Sequence, residues 1–104
     1  MKGLSILGST GSIGTNVLRV VDAFPGRFEV VGLAAGGNVE TLAEQVARHR
    51  PKVVSVADAA ALARLSRLVD LSSLRAVVGR EGMVEVATRP EARMVVASAV
   101  GAVG

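Results

Sequence analysis

The chain is 104 residues long, half of it apolar with 19 Val and 16 Ala, and a fifth of it charged. That composition fits one compact domain and excludes a disordered segment. Twelve Lys and Arg against nine Asp and Glu give a formal charge of +3; with no Tyr or Cys to titrate below the two lysines, the isoelectric point still reaches about 10.6. The protein is therefore mildly basic at neutral pH and not a polycation. With Phe24 and Phe28 its sole aromatics, it lacks the basic stripe and stacking residues of a nucleic-acid binder. No apolar run approaches the ~20 residues of a membrane-spanning helix, and the Gly-containing N-terminus is unlike a signal peptide. Without Cys there is no disulfide framework, thiolate metal site or Cys nucleophile. A cytoplasmic protein without nucleic-acid or membrane partners is expected.

Leu4–Leu7 is a short apolar run ended by Gly8 and reads as a buried strand. Ile13, Val17, Val20, Val21 and Phe24 then recur at the spacing of one helical face, stopped by Pro25-Gly26. Phe28–Leu33 is a second strand. Asn38 is placed to cap a helix whose Val39, Leu42, Ala43, Val46 and Ala47 share a face, ended by Pro51. Val53–Val56 is a third strand, and Asp58 caps a third helix carrying Leu62, Leu65 and Val69. A fourth strand at Ala76–Val78, a short helix at Glu81–Thr88 and a fifth strand at Met94–Ala97 complete the pattern.

Regular alternation of strand and helix predicts an α/β fold: a doubly wound, Rossmann-like parallel sheet with helices on both faces. The near-continuous Val, Ile and Leu of the strands agree, because central parallel strands are buried on both sides. From Met94 to Gly104 the chain stays apolar to its last residue, whereas domain termini generally fray into polar residues. The expectation is a sheet incomplete at its C-terminal side, in a piece of a longer protein.

The strongest chemical signal is Gly8-Ser9-Thr10-Gly11-Ser12-Ile13-Gly14, set between the first strand and the first helix. That is the setting of a dinucleotide-binding loop, with the spacing G-x-x-G-x-x-G in place of G-x-G-x-x-G. Gly8 turns the chain, Gly11 lets the backbone approach a pyrophosphate, and Gly14 lets the helix pack close to the sheet. The amides of Thr10, Gly11, Ser12 and Ile13 then face the anion with the helix dipole behind them, and the Thr10 and Ser12 hydroxyls add donors. No Lys follows Gly14, so the loop is not a Walker motif. The alternative is a tight turn in which Ser9 or Thr10 merely caps the helix.

After the second strand come Ala34-Ala35-Gly36-Gly37-Asn38, with no carboxylate to hold the adenosine ribose as NAD enzymes do. The amides of Gly36, Gly37 and Asn38 at a helix start suit a 2′-phosphate, which favours NADP over NAD, although no Arg or Lys lies in this loop. The alternative is a Gly-rich turn capped by Asn38. His49, between Arg48 and Arg50, reads as a complement to the helix C-terminal dipole ahead of a base or ligand. Glu81 reads as a helix first-turn carboxylate ahead of a cofactor contact, and Arg64 and Arg67 as a solvated helix face. Ala99–Gly104 follow the fifth strand, where such folds present backbone to the nicotinamide half of a cofactor. No paired carboxylates and no Ser–His–Asp set are encoded, so the sequence offers cofactor binding without catalytic or metal-ligating residues of its own.

At Leu4–Gly14, Phe28–Asn38 and Ala99–Gly104 the sequence resembles the 1-deoxy-D-xylulose 5-phosphate reductoisomerase family, and the resemblance spans the whole chain. It implies that Thr10, Gly11, Ser12 and Ile13 bind the pyrophosphate side of NADPH and that Gly36, Gly37 and Asn38 lie at its 2′-phosphate end. Some members carry a basic residue where this chain has Gly37. The family's reaction rearranges deoxyxylulose phosphate and reduces the resulting aldehyde to 2-C-methyl-D-erythritol 4-phosphate in non-mevalonate isoprenoid synthesis. It uses a divalent metal, Mg or Mn, held by an Asp and two Glu, with Lys, Ser, Asn and His around the sugar phosphate. The resemblance places those residues beyond Gly104 and implies a full-length homodimer; this chain alone is then expected to be inactive. The competing readings are the cofactor domain of a semialdehyde or acyl-phosphate reductase and a stand-alone nucleotide-sensing module.

Overall fold

In a computed structural model, described here for residues 1–97, five strands and four helices alternate along the chain. They are β1 (Lys2–Leu7), α1 (Ser12–Ala23), β2 (Phe28–Ala34), α2 (Val39–His49), β3 (Val53–Val56), α3 (Ala59–Leu68), β4 (Arg75–Val78), α4 (Gly79–Thr88) and β5 (Met94–Ala97). The expected elements all form, with boundaries moved by two residues at most. The sheet has the order β4-β3-β2-β1-β5, every neighbouring pair parallel. After β4 the chain crosses back over the sheet to lay β5 beside β1, so the direction of winding reverses between β1 and β5. In such sheets ligands bind at that reversal, outside the carboxyl ends of the strands.

The main core lies on one face, where Leu4, Ile6, Val30, Leu33, Val54 and Val56 of the strands meet Leu18, Val21, Leu42, Val46 and Leu65 of α1, α2 and α3. A smaller cluster, Ala34, Val53 and Val86, lies under α4 on the other face. Small residues let α4 sit close: a Cβ on Gly32 would lie 2.9 Å from Val86, and one on Gly82 would lie 2.7 Å from the Ser55 hydroxyl. Asn38 caps α2 by accepting from the Thr41 amide at 3.2 Å, and Asp58 caps α3 by accepting from the Ala61 amide at 2.8 Å, as their side-chain chemistry predicts.

Two helical faces differ from expectation. α1 turns Leu18 and Val21 to the sheet, leaving Ile13, Val20 and Phe24 about half exposed. Of the expected stripe, Val21 is buried and Val17 packs against the core, while Ile13, Val20 and Phe24 form the flank, where Val20 borders a groove with Met94 and Val96 of β5. Helical periodicity finds an apolar stripe but does not fix the rotation of a helix on its sheet. On α2, Val39, Leu42, Ala43 and Val46 are buried as expected, but Ala47 is exposed.

Candidate functional site

The loop between β1 and α1 lies at the carboxyl end of the strand beside the reversal point. Gly8 has φ 82°, a left-handed conformation that a side chain disfavours, so its role in turning the chain stands. The Ser9 amide donates to the Ala34 carbonyl of β2 at 3.0 Å, and the Gly11 amide closes the turn on the Gly8 carbonyl at 3.1 Å. Ser9 is buried, whereas Thr10 is partly open and Gly11, Ser12 and Ile13 are exposed. The loop thus faces inward at its first half and outward at its second.

Gly11 is the N-cap of α1 in extended geometry, with no side-chain capping bond and no acidic residue in the first turn. The alternative in which Ser9 or Thr10 caps this helix is therefore not what forms. The opening amides of a helix have no intrahelical acceptor, and an uncapped, acid-free N-terminus presents them with the positive end of the dipole to an anion. Gly14 packs otherwise than expected. A Cβ there would lie 2.5 Å from the Gly8 carbonyl oxygen and 2.7 Å from that of Ser9, so the close approach is to the loop backbone, not to the sheet.

The second loop, Ala35–Asn38, lies one strand away. The Ala35 amide donates to the Ser55 carbonyl at 2.9 Å, the Ala57 amide donates to Gly36, and Gly36, Gly37 and Asn38 are exposed. A Cβ on Gly36 or Gly37 would meet nothing within 4 Å. The parallel β1–β2 register pairs Leu7 with Ala34, so both glycine loops leave the sheet at the same edge. Thr10–Ile13 and Gly36–Asn38 are thereby brought to one side of the molecule.

Two further side chains bear on this edge. Arg64 lies on a solvated helix face as expected, and from there it brings its Nη2 to 3.4 Å from Glu40 Oε2 in the first turn of α2. It puts a cation beside the carboxylate that follows the Gly36–Asn38 loop. Gln45, on the buried face of α2, donates from Nε2 to the Ser9 carbonyl at 2.9 Å. No local pattern marks either contact; Gln45 alone carries a hint, as a polar residue beside the apolar Leu42 and Val46.

The other candidates lie apart from the loops. His49 ends α2 with its side chain 8% exposed and Nε2 3.8 Å from Asp22 of α1. Burial pushes its pKa below the usual imidazole range, with Asp22 opposing and Arg48 adding to the decrease. Burial thus favours its neutral form at the C-terminal end of α2, where the dipole-complementing position expected for it is found, and Arg48, 3.0 Å from Asp22, carries the cation there. Glu81 sits in the first turn of α4, which follows β4 at the far edge of the sheet from β1. Ala99–Gly104 lie outside the described residues. Among the described residues no three His, Cys, Asp or Glu side chains converge on a metal-holding position, and no helix is long and apolar enough to cross a membrane.

Comparison with known proteins agrees with this fold. The family model described as 1-deoxy-D-xylulose 5-phosphate reductoisomerase matches residues 4–104. A protein of that name from Symbiobacterium thermophilum is 54% identical over 107 residues, covering 99% of this chain and 28% of the relative. One from Synechocystis sp. is 50% identical over 108 residues, covering 100% of this chain and 27% of the relative. The chain thus spans about a quarter of the length of the curated relatives it matches. Among solved structures, a DOX-P reductoisomerase in complex with magnesium superposes with a TM-score of 0.82 at 28% identity, covering 91% of this chain and 24% of the other. The Zymomonas mobilis enzyme in complex with NADPH gives a TM-score of 0.78 at 31% identity, covering 86% and 24%. By sequence along nearly its whole length and by fold, this chain belongs to the 1-deoxy-D-xylulose 5-phosphate reductoisomerase family.

Proposed function

We propose that residues 1–104 are the NADPH-binding, N-terminal part of a 1-deoxy-D-xylulose 5-phosphate reductoisomerase. The full-length enzyme converts 1-deoxy-D-xylulose 5-phosphate to 2-C-methyl-D-erythritol 4-phosphate by rearrangement and hydride reduction. The observation that carries this reading is the uncapped N-terminus of α1, with Gly11, Ser12 and Ile13 exposed beside the point where the sheet reverses. The amides of Thr10, Ser12 and Ile13 hold the pyrophosphate, Gly11, whose own amide closes the turn on Gly8, lets the backbone approach it, and the hydroxyls of Thr10 and Ser12 add donors. Gly36, Gly37 and Asn38 receive the adenosine 2′-phosphate at the start of α2, while Arg64 offsets the charge of Glu40. When bound, NADPH supplies the hydride; this chain's residues bind and orient it.

A DOX-P reductoisomerase was solved with NADPH, fosmidomycin and magnesium, which supports NADPH and a divalent metal as the cofactors; the family resemblance assigns the metal and sugar-phosphate residues to the rest of the enzyme. A cytoplasmic homodimer completes the proposal on the family resemblance. The test is calorimetric titration of the purified chain with NADPH and then NADH. Tighter binding of NADPH is expected. Equal binding would remove the 2′-phosphate role of Gly36–Asn38, and no binding by the folded chain would refute its standing as an autonomous cofactor domain.

A further inference from the structure

Gln45 has no place in the reading above, yet its side chain reaches the glycine loop from the second turn of α2. It is 8% exposed, and its Nε2 donates to the Ser9 carbonyl at 2.9 Å across 36 residues of sequence. Its Oε1 is buried without a hydrogen-bond partner. As filling for an apolar core such a residue is a poor choice, because a buried unsatisfied acceptor costs about 1–3 kcal/mol. A methionine of similar length would pack there without that cost.

We infer that Gln45 is a positioning residue that aims the amide of Thr10 at the cofactor pyrophosphate, an inference that rests on the NADPH reading. A trans peptide is planar, with its C=O and N–H pointing in opposite directions. Gln45 draws the Ser9 carbonyl inward, toward α2, so the Thr10 N–H of that same peptide points outward, to the side where Gly11 and Ser12 are exposed. Two further restraints hold the group. The Ser9 amide is tied to Ala34 at 3.0 Å, and Gly14 leaves room for the Ser9 carbonyl, which a Cβ would approach to 2.7 Å. α2 also begins at Asn38, so one rigid helix carries both the loop at the 2′-phosphate end and the side chain that orients the pyrophosphate loop. The two ends of the cofactor site are held in fixed relation by α2.

The test uses the 104-residue chain, thermal unfolding by circular dichroism, and calorimetric titration with NADP⁺, which tolerates acid. Gln45→Met removes both polar atoms at nearly constant volume. Its melting temperature should hold or rise, while its NADP⁺ affinity falls about tenfold for the loss of one oriented amide contact. Gln45→Glu keeps the shape but, when ionised, sets an acceptor against the Ser9 carbonyl; a protonated carboxyl restores a donor. Its affinity relative to the unmutated chain should therefore recover as pH falls from 8 to 5.5, an effect that packing alone does not produce. Unchanged affinity in Gln45→Met would overturn the inference. So would a loss of affinity that tracks a loss of stability, with no recovery of Gln45→Glu in acid. Failure of the folded, unmutated chain to bind NADP⁺ would instead refute its standing as an autonomous cofactor domain, and this inference with it.

Discussion

Gly14→Ala is the most direct probe of how the glycine loop is built. The added Cβ would lie 2.5 Å from the Gly8 carbonyl oxygen, 2.6 Å from the Ser9 Cα and 2.7 Å from the Ser9 carbonyl oxygen. All three atoms are backbone, so no side chain can swing aside. To reach ordinary contact the loop must retreat by about 0.9 Å, and overpacking of this kind costs about 1–3 kcal/mol. From the middle of that range, about 2 kcal/mol, the better helix propensity of alanine recovers up to about 1 kcal/mol, leaving a net loss of about 1–2 kcal/mol. For a domain of this size, at about 4–8 °C per kcal/mol, that is a fall in melting temperature of roughly 4–16 °C. The functional effect should be larger. A retreating loop takes the Thr10–Ile13 amides with it, and hydrogen bonds weaken steeply as distance and angle depart from their optimum. NADPH affinity should fall about a hundredfold, the equivalent of two lost contacts at about tenfold each. Thermal unfolding and calorimetric titration of the folded variant read the two effects separately. A variant that melts within 1–2 °C of the unmutated chain and keeps its affinity would refute the argument, since the loop would then yield without consequence.

Gly11 has φ −78° and ψ 176°, which valine adopts readily, so Gly11→Val should cost only about 1 kcal/mol at the cap while placing a side chain in the pyrophosphate position. NADPH binding should be lost with the circular dichroism spectrum intact, and retained affinity would move the phosphate site elsewhere. Gly37→Lys enters open space and should leave stability within about 0.5 kcal/mol. By pairing with the 2′-phosphate it should tighten NADPH about threefold to tenfold, with NADH unchanged in parallel titrations. His49 has its folded-state pKa lowered, chiefly by burial, so the unfolded chain binds its proton more readily. Stability is therefore full above the ordinary imidazole pKa of about 6.5 and declines as pH falls through it. Melting temperatures measured between pH 7.5 and 5.5 should drop, and His49→Gln should flatten that slope; equal slopes would show that His49 carries none of it.

The sequence by itself determined the order and type of the elements, because each was written locally. Short Val-rich runs, i, i+3, i+4 spacing, the Asn38 and Asp58 caps and the Pro25-Gly26 and Pro51 stops all act within a few residues of the backbone they shape. The glycine loop was legible for the same reason, since Gly8 owes its place to its own φ. Only the tertiary structure decided what depends on residues distant in sequence. It rotated α1 so that Leu18 and Val21, not Ile13 and Phe24, meet the sheet, a choice made by packing against β1 and β2. It brought Arg64 to Glu40 from α3, pressed Gly14 against the Gly8–Ser9 backbone, and drew the Ser9 carbonyl to Gln45. Burial beside α1 lowered the pKa of His49. Local backbone preferences fix where strands and helices start and stop; desolvation, close contact and long-range hydrogen bonds exist only once the sheet has assembled, and those arrange the loops of the site.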